Sequence, residues 1–192
     1  MALRAMNLAK QHHTGMRKDG VTPEFDHQVS IAHYLRTLDG SLLHPQETYA
    51  AALLHDVRED YGLADAEIRD QFGDLTANAV HALSKEFRGD RRPEAEVFAM
   101  ISADPIASVV KGCDRIHNHQ TMVGVFSTRK QVAYIDETNE WFFPMLKQAR
   151  RAFPEQEPAY ENVKTMLKSQ IHLIEAVHEA LERNPTFDTP EI

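Results

Sequence analysis

This chain of 192 residues has a single cysteine, no long apolar run and no net positive charge, and each of these absences excludes a class of protein. The single cysteine, Cys113, excludes an internal disulfide and fits a reducing compartment. The N-terminal residues MALRAMNLAKQHH contain no long apolar stretch, so we expect neither a signal peptide nor a membrane span. A net charge of -8 argues against a nucleic-acid-binding surface, which would need a basic patch or stripe. We therefore expect a cytoplasmic protein without a membrane or nucleic-acid partner.

The residues that are present fit one globular domain. Hydrophobic residues make up 42% of the chain and charged residues 26%, which is typical of a folded protein and not of a disordered one. Strict alternation over strand length is absent, whereas apolar residues recur at helical spacing. We predict one all-α domain over residues 1–185, with a core at 5–122, C-terminal helices at 128–183 and a frayed tail at 186–192.

The spacing of apolar residues, together with start and stop residues, predicts the positions of the helices. The predicted helices are Ala2–Gln11, His27–Leu38, Pro45–Val57, a segment around Ile68 and Phe72 that ends at Gly73, Leu75–Leu83, Pro93–Ile101, Asp104 to about Asn118, Arg129–Phe153 and Tyr160–Glu182. The charged stretch EFRGDRRPE is predicted as a loop. His12 and His13 follow the first predicted helix and are interpreted as surface residues.

The most informative segment is YAAALLHDVRED, which covers residues 49–60. Small and apolar residues fill its first half, so His55 and Asp56 end a helix that we expect to be buried. Buried charge costs free energy unless it is paired or coordinates a metal. An imidazole beside a carboxylate offers nitrogen and oxygen donors to a divalent metal. The pair therefore predicts part of a metal site, which needs further ligands from elsewhere in the chain.

Two residues outside this segment complete the predicted ligand set. His27 opens the second predicted helix, and Asp114 lies toward the end of an otherwise apolar helix. Helix bundles commonly build metal sites from side chains that project inward from facing helices. A lone histidine or aspartate is more often a hydrogen-bonded core residue or part of an ion pair than a metal ligand. The prediction therefore rests on the four residues taken together. The predicted ligands are His27, His55, Asp56 and Asp114.

Further polar residues share the helix faces of these ligands. Asn118 and Thr121 follow Asp114 by four and seven positions, which places all three on one face of the helix. Glu59 and Asp60 follow the His-Asp pair by four positions each. These carboxylates would stay close to the metal if the helix continued beyond the pair.

Three stretches of the sequence carry a resemblance to a known family. LLHDVRED, VVKGCDRIHN and RKDG…DHQVSIAHYL resemble the HD-domain phosphohydrolases of the Rel/SpoT alarmone branch. The nearest form is that of the small stand-alone alarmone hydrolases, which lack a synthetase domain. The resemblance extends from about Ala5 to Met122, and more loosely through YIDETNEWFFPML. The dipeptide HD alone carries little weight, but HDxxED combined with VKxxDRxHNxxT separates this branch from other HD proteins.

The resemblance implies a fold, a metal and a set of ligands. The implied fold is an all-α, single HD-domain helical bundle with a Mn²⁺ site between core helices. Glu59 and Asp60 match the acidic pair that orients or activates the attacking water in that family. The metal ligands that the resemblance implies are His27, His55, Asp56 and Asp114.

The resemblance also implies which residues contact the substrate. Arg17 and Lys18 match a basic loop pair that packs near the guanine and the phosphates. Asn118 and Thr121 match positions that contact the sugar and phosphate of the nucleotide. The implied activity is Mn²⁺-dependent hydrolysis of guanosine 3′,5′-bis(diphosphate) (ppGpp) and its pentaphosphate (pppGpp), the alarmones of the stringent response. The products are GDP or GTP and pyrophosphate.

Three positions depart from the family pattern and leave alternatives open. Gln28 stands where a proline is usual, Gly15 where a glutamine is common, and Arg58 where an apolar or small residue is common. One alternative is an HD phosphohydrolase that acts on another nucleotide, such as NADPH or a 5′-nucleotide. Another is a nucleotide-binding or antitoxin-like regulator, although the intact acidic pair favours an active enzyme. The sequence leaves the oligomeric state open, and both a monomer and a homo-oligomer are compatible with it.

Overall fold

Helices make up almost all of the regular structure of residues 1–183, the part of the chain that the computed structural model describes. Their bounds are α1 (Ala2–His12), α2 (Glu24–Arg36), α3 (Pro45–Leu54), α4 (Val57–Tyr61), α5 (Asp65–Phe72), α6 (Asp74–Leu83), α7 (Glu94–Ser102), α8 (Pro105–Met122), α9 (Thr128–Glu137), α10 (Phe143–Ala152) and α11 (Glu157–Arg183). The prediction of an all-α protein is confirmed. The predicted frayed tail, 186–192, lies outside the described residues. Within 1–183, none of the helices has the length and apolar character needed to cross a membrane.

The charged stretch predicted as a loop instead contains a small antiparallel hairpin. Strands β1 (Glu86–Phe87) and β2 (Asp90–Arg91) pair with each other, and Arg88 and Gly89 form the turn between them. Both turn residues have positive φ, 52° and 85°, as is usual for two-residue turns that match the twist of the strands. Strands of two residues are too short to produce an alternating pattern, so the sequence carries no strand signal here.

The predicted helix Pro45–Val57 is divided in two at the His-Asp pair. The α3 helix ends at Leu54 and α4 begins at Val57, which leaves His55 and Asp56 at the junction. Both junction residues keep right-handed helical backbone angles, so the chain turns there without an open loop. The α4 helix then stops at Gly62, whose φ of 67° is the left-handed conformation typical of a helix end.

The helices that carry the predicted ligands lie at the centre of the core. Residues 50–54 of α3 are each at most 1% exposed, so this helix is buried on all sides and not only along one stripe. The α2, α3 and α8 helices each pack against the other two. One cluster of buried apolar side chains extends from Ala5 to Leu167. This packing brings together residues that are far apart in the sequence.

The α8 and α11 helices approach each other closely at Gly112. A Cβ atom at this position would lie 2.6 Å from Cγ1 of Val163 and 3.5 Å from Cδ2 of Leu146. The first distance is too short for two carbon atoms, so any larger residue would push the valine side chain away. Glycine therefore sets the distance between α8, which carries Asp114, and the long C-terminal helix.

We expect Gly112→Ala to destabilise the protein. Overpacking a core costs about 1–3 kcal/mol, and the higher helix propensity of alanine offsets about 1 kcal/mol of that cost. Urea unfolding would measure the difference. The double variant Gly112→Ala/Val163→Ala should recover part of the loss because it restores the space. Gly40→Ala is a matched control, since nothing lies within 4 Å of its Cβ position. If Gly112→Ala were as stable as the wild type, the close helix contact would be wrong.

A second buried feature of α8 is the ring of His119. This residue is 1% exposed, and its Nε2 atom lies 3.1 Å from Oγ1 of Thr138, in the π-helical turn Thr138–Phe142 that joins α9 to α10. Burial and the positive charge of Arg115 lower the pKa of His119 to about 4. The pKa of a histidine in an unfolded chain is about 6.5. Protonation of His119 therefore favours the unfolded state.

The stability that His119 contributes is complete above pH 6.5 and is lost as the pH falls from 6.5 toward 4. At about pH 5 the loss from this residue amounts to about 2 kcal/mol. Urea unfolding of the wild type and of His119→Gln, at about pH 7.5 and about pH 5, isolates this loss because glutamine does not titrate. The wild type should lose more stability than the variant by that amount. Equal losses would show that His119 is not the source.

Candidate metal centre and active site

Three buried side chains from three parts of the fold offer ligand atoms to one point. His27 lies in the first turn of α2, His55 follows α3, and Asp114 lies in α8; each is at most 6% exposed. One ligand atom from each residue lies within 4.8 Å of the other two, and the distance from Nε2 of His27 to Oδ1 of Asp114 is 3.2 Å. Two imidazoles and a carboxylate suit a divalent first-row metal ion. The residues present therefore fit a divalent metal site.

Asp56, the fourth predicted ligand, lies beside this group of three. Its Oδ2 atom is 3.0 Å from Nε2 of His55 and accepts a hydrogen bond of 3.0 Å from the side-chain amide of Gln28. Gln28 is fully buried, and it stands where the family pattern has a proline. A proline has no side-chain amide and could not make this contact.

Hydrogen bonds fix the orientation of the candidate ligands. Nδ1 of His55 lies 2.8 Å from the carbonyl oxygen of Ala52, which leaves Nε2 to face the site. Nδ1 of His27 lies 2.8 Å from Nδ1 of His117. The side-chain amide of Asn118 donates a hydrogen bond of 2.7 Å to Oδ1 of Asp114. Partners of this kind orient metal ligands and raise their affinity for the ion.

Burial and neighbouring charges set the protonation of these side chains. Burial by itself lowers the pKa of His55, but the carboxylates of Asp56 and Asp114 outweigh it and raise that pKa to about 9. Burial opposes the ionisation of Asp114, yet the Lys111 ammonium and the His27 ring hold its pKa well below its usual range. Burial likewise opposes the ionisation of Asp56, but His55 lowers its pKa to about 2. Both carboxylates are therefore anionic, and a metal ion would displace the proton of His55.

A cleft of about 700 Å³ opens beside these residues and contains most of the predicted site. Its lining residues are Met16, Arg17, Lys18, Glu24, His27, Asp56, Glu59, Asp60, Asp114, Asn118, Phe126, Lys130 and Tyr134. Of the predicted residues outside this lining, His55 lies behind Asp56, and Thr121 lines a smaller adjoining pocket that it shares with Arg17. The sequence-predicted residues are thus brought to one place in the fold.

The predicted substrate contacts form one connected group at the cleft wall. The guanidinium of Arg17 donates hydrogen bonds of 3.2 Å to Oδ1 of Asn118 and to Oγ1 of Thr121. These bonds connect the loop between α1 and α2 to the last turns of α8. Lys18 is exposed beside Arg17, in the same lining. The arrangement places two positive charges close to the candidate metal ligands in a protein that is acidic as a whole.

The two acidic residues that follow the His-Asp pair differ in their surroundings. Oε2 of Glu59 accepts a hydrogen bond of 2.7 Å from the backbone N–H of Lys85, which immediately precedes β1. Partial desolvation and the negative charges of Asp56 and Glu59 raise the pKa of Asp60 to about 6. A carboxylate with a pKa close to neutral pH is suited to accept a proton. Glu59 is therefore held by a backbone hydrogen bond, and Asp60 has the raised pKa that suits a proton acceptor.

The structure adds an aromatic wall that sequence reasoning missed. The rings of Phe126 and Tyr134 lie 5.6 Å apart, and Nζ of Lys130 lies 3.7 Å from the centre of the Phe126 ring. All three residues line the cleft. Lys130 and Tyr134 lie one turn apart on α9, whereas Phe126 precedes that helix, so helical periodicity gives no signal for the whole group.

Glu24 and the residues around it were also missed. Glu24 lines the cleft and accepts a hydrogen bond of 2.8 Å from the hydroxyl of Tyr61. His13 packs behind them, with its ring edge-on to that tyrosine at 5.1 Å and Nδ1 at 3.7 Å from Oε1 of Glu24. The interpretation of His13 as a surface residue is wrong, because its exposure is only 3%. The tertiary contact with Tyr61, and not the local sequence, decides its burial.

Comparisons with known proteins identify relatives by sequence. A probable guanosine-3′,5′-bis(diphosphate) 3′-pyrophosphohydrolase of Synechocystis is 32% identical over 150 residues, which are 74% of this chain and 19% of that protein. A protein of the corresponding name from Aquifex aeolicus is 29% identical over 147 residues, 74% of this chain and 20% of that protein. The bifunctional (p)ppGpp synthase/hydrolase SpoT of Escherichia coli is 32% identical over 146 residues, with 72% and 20% covered. The chain spans about a fifth of the length of these curated relatives.

A comparison with solved structures and one with family models identify the fold and the family. One solved structure, from work described as "A metazoan ortholog of SpoT hydrolyzes ppGpp and plays a role in starvation responses", matches with a TM-score of 0.63 at 17% identity. The match covers 84% of this chain and 92% of that one, so the two share a fold. The family model described as "HD domain" matches residues 5–152. Because this match covers well over half of the sequence, the chain belongs to the HD-domain family.

Proposed function

We propose that this protein is a metal-dependent phosphohydrolase that converts ppGpp and pppGpp to GDP and GTP, with release of pyrophosphate. The observation that carries the proposal is the buried group of His27, His55 and Asp114 at the edge of a cleft that also holds basic and acidic side chains. Relatives named for this activity, of which the chain spans about a fifth, support the choice of substrate. The chemistry of the cleft supports the choice of reaction.

The proposed metal is Mn²⁺, held by the three clustered residues together with Asp56. Nitrogen and carboxylate donors in one site are compatible with this ion. A bound divalent ion would lower the pKa of a water molecule and polarise a phosphoryl oxygen, which are the two effects that phosphoester hydrolysis needs. The orientation of the ligands comes from the chain itself, through the bonds of Asn118 and Gln28 to the two carboxylates.

Asp60 and Glu59 are the proposed catalytic residues. Asp60 would accept the proton of the attacking water, since its pKa of about 6 leaves it ionised and still basic at neutral pH. Glu59 would orient the same water, since the N–H of Lys85 restrains its carboxylate. The water oxygen would then bond to the phosphorus attached to the 3′ oxygen, and the bond from that phosphorus to the 3′ oxygen would break. The departing 3′ oxygen would take up a proton, which leaves pyrophosphate and the 3′-hydroxyl of GDP or GTP.

The remaining cleft residues are proposed to bind the nucleotide. Arg17 and Lys18 would offset the negative charge of the substrate, and Asn118 and Thr121 would contact its sugar and phosphate. The hydrogen bonds from Arg17 to Asn118 and Thr121 support a shared role, because they hold these groups on one wall. The aromatic wall beside them offers a surface on which a nucleobase can stack.

The proposal extends to the setting of the reaction. We infer a cytoplasmic enzyme whose partner is a small nucleotide, with no nucleic-acid or membrane partner. The single cysteine fits a reducing compartment, and its side chain is buried at 1% exposure. The net charge of -8 disfavours a nucleic-acid partner, which would need a basic patch or stripe on the surface.

Asp114→Asn should abolish tight metal binding. Loss of a residue that only supports a ligand typically lowers metal affinity about 10- to 100-fold, so we expect loss of a ligand to cost at least about 100-fold. Calorimetric titration of metal-stripped protein with Mn²⁺ measures this change. Asp70→Asn is a matched control, because Asp70 is an exposed aspartate on α5. Unchanged affinity in Asp114→Asn would remove Asp114 from the ligand set.

Purified wild-type protein should convert ppGpp to GDP and pyrophosphate only when Mn²⁺ is present, as resolved by ion-exchange chromatography. Asp56→Asn should lose this activity. Asp60→Asn should lower kcat by about 100- to 10,000-fold, the usual contribution of a general base, and should still bind Mn²⁺. Full activity in Asp56→Asn would contradict the metal assignment.

Two other outcomes of the same assay would redirect the proposal. A folded, metal-bound protein without turnover of ppGpp would point to another phosphorylated nucleotide, such as NADPH or a 5′-nucleotide. A protein that takes up no metal would point to a nucleotide-binding regulator.

A further inference from the structure

Arg58 is a buried charge whose neighbours in the sequence belong to the candidate site. It lies between the His-Asp pair and the acidic pair, and it is only 5% exposed. Its Nε atom donates a hydrogen bond of 2.7 Å to Oδ1 of Asp65, while its Nη1 atom is buried without a partner among the described residues. Burying a guanidinium with one donor unsatisfied costs free energy. An apolar side chain at position 58 would fill the same space without that cost.

The guanidinium of Arg58 stacks on the hairpin. Its central carbon lies 4.0 Å from the centre of the Phe87 ring in β1, well within the distance at which a cation is attracted to an aromatic face. The next residue in the chain, Glu59, accepts the N–H of Lys85 at 2.7 Å. Arg58 and Glu59, which are consecutive in α4, therefore both contact the short segment from Lys85 to Phe87.

A second set of contacts fixes the base of this arrangement. Oδ2 of Asp65 lies 2.7 Å from Nδ1 of His81 in α6, so the carboxylate that receives Arg58 is itself held. Nη2 of Arg92, at the other end of the hairpin, donates a hydrogen bond of 3.1 Å to the carbonyl oxygen of His81. The contacts form a closed chain through α4, α5, α6 and the hairpin. The Lys85 N–H is thereby placed relative to α4.

We propose that Arg58 is a positioning residue: by stacking on Phe87 it holds the hairpin so that the N–H of Lys85 fixes the carboxylate of Glu59 at the cleft. The role of Glu59 in this inference rests on the proposed function. The placement of the hairpin by Arg58 does not depend on that function. Without Arg58 or the Phe87 ring, the hairpin moves away from α4 and Glu59 rotates freely. The attacking water then loses part of its orientation, while metal and substrate keep their contacts.

The direct test replaces the stacking partners. In Phe87→Leu and Arg58→Lys we expect kcat for ppGpp to fall about 10- to 100-fold, the scale on which small misplacements act. KM and the affinity for Mn²⁺ should stay within about twofold of the wild type, since these variants leave Arg17 and Asp114 untouched. Phe98→Leu is a matched control: the same change at a core ring stacked on Trp141 should lower stability and leave kcat unchanged.

A double-mutant cycle separates positioning from general damage. If Phe87 acts through Glu59, then Phe87→Leu should cause no further loss of kcat in a Glu59→Gln background, where the carboxylate is already gone. The same fold-loss in both backgrounds would overturn the proposal. So would an unchanged kcat in Phe87→Leu at saturating Mn²⁺ and ppGpp.

Amide hydrogen exchange tests the placement without any activity. The Lys85 N–H should be protected in the wild type and should exchange faster in Glu59→Gln, Arg58→Lys and Phe87→Leu, as measured by NMR. Unchanged protection in Arg58→Lys and Phe87→Leu would overturn the proposal. If the wild type turned over no ppGpp, the proposed function would fail while the exchange measurement still decided whether Arg58 places the hairpin.

Discussion

The burial of Asp114 is the constraint on which the rest of the site depends. An isolated carboxylate that is 6% exposed would be strongly disfavoured, so the fold must bring compensating groups to it. Three such groups contact it: the ring of His27, the ammonium of Lys111 and the amide of Asn118. The histidine can reach it only because α2 packs against α8. The packing of the helices is thus what supplies the buried Asp114 carboxylate with its polar partners.

The parts of the fold and site that the sequence predicts are those with a local signal. The α3 helix is predicted because residues 49–54, YAAALL, are rich in the strong helix formers alanine and leucine. His55 and Asp56 are predicted because a charged pair at the end of such a run has no role in packing. Asn118 and Thr121 are predicted because helical spacing alone places them on the face of Asp114. In each case the residue types and the spacing that carry the prediction lie within a few consecutive turns of one helix.

The parts that were missed depend on tertiary contacts. Arg58 stands out in the sequence only as a departure from the family pattern, and the ring of Phe87 and the carboxylate of Asp65 explain its burial. His13 reads as a surface residue because its contact with Tyr61 joins segments that show no common pattern. The hairpin of 86–91 is too short for strand periodicity. Local propensity says nothing about a contact whose partner lies elsewhere in the chain.

The bond between Arg17 and Asn118 spans 101 positions of the sequence, and this separation gives the cleft an order of assembly. Domains emerge from the ribosome with the N-terminal part first, so α2 and α3 are synthesised well before α8. Until residue 114 has emerged, the nascent chain holds His27, His55 and Asp56 but lacks the ligand from α8. The growing polypeptide therefore carries an unfinished binding site throughout the middle of its synthesis, and the wall that Arg17 completes forms later still.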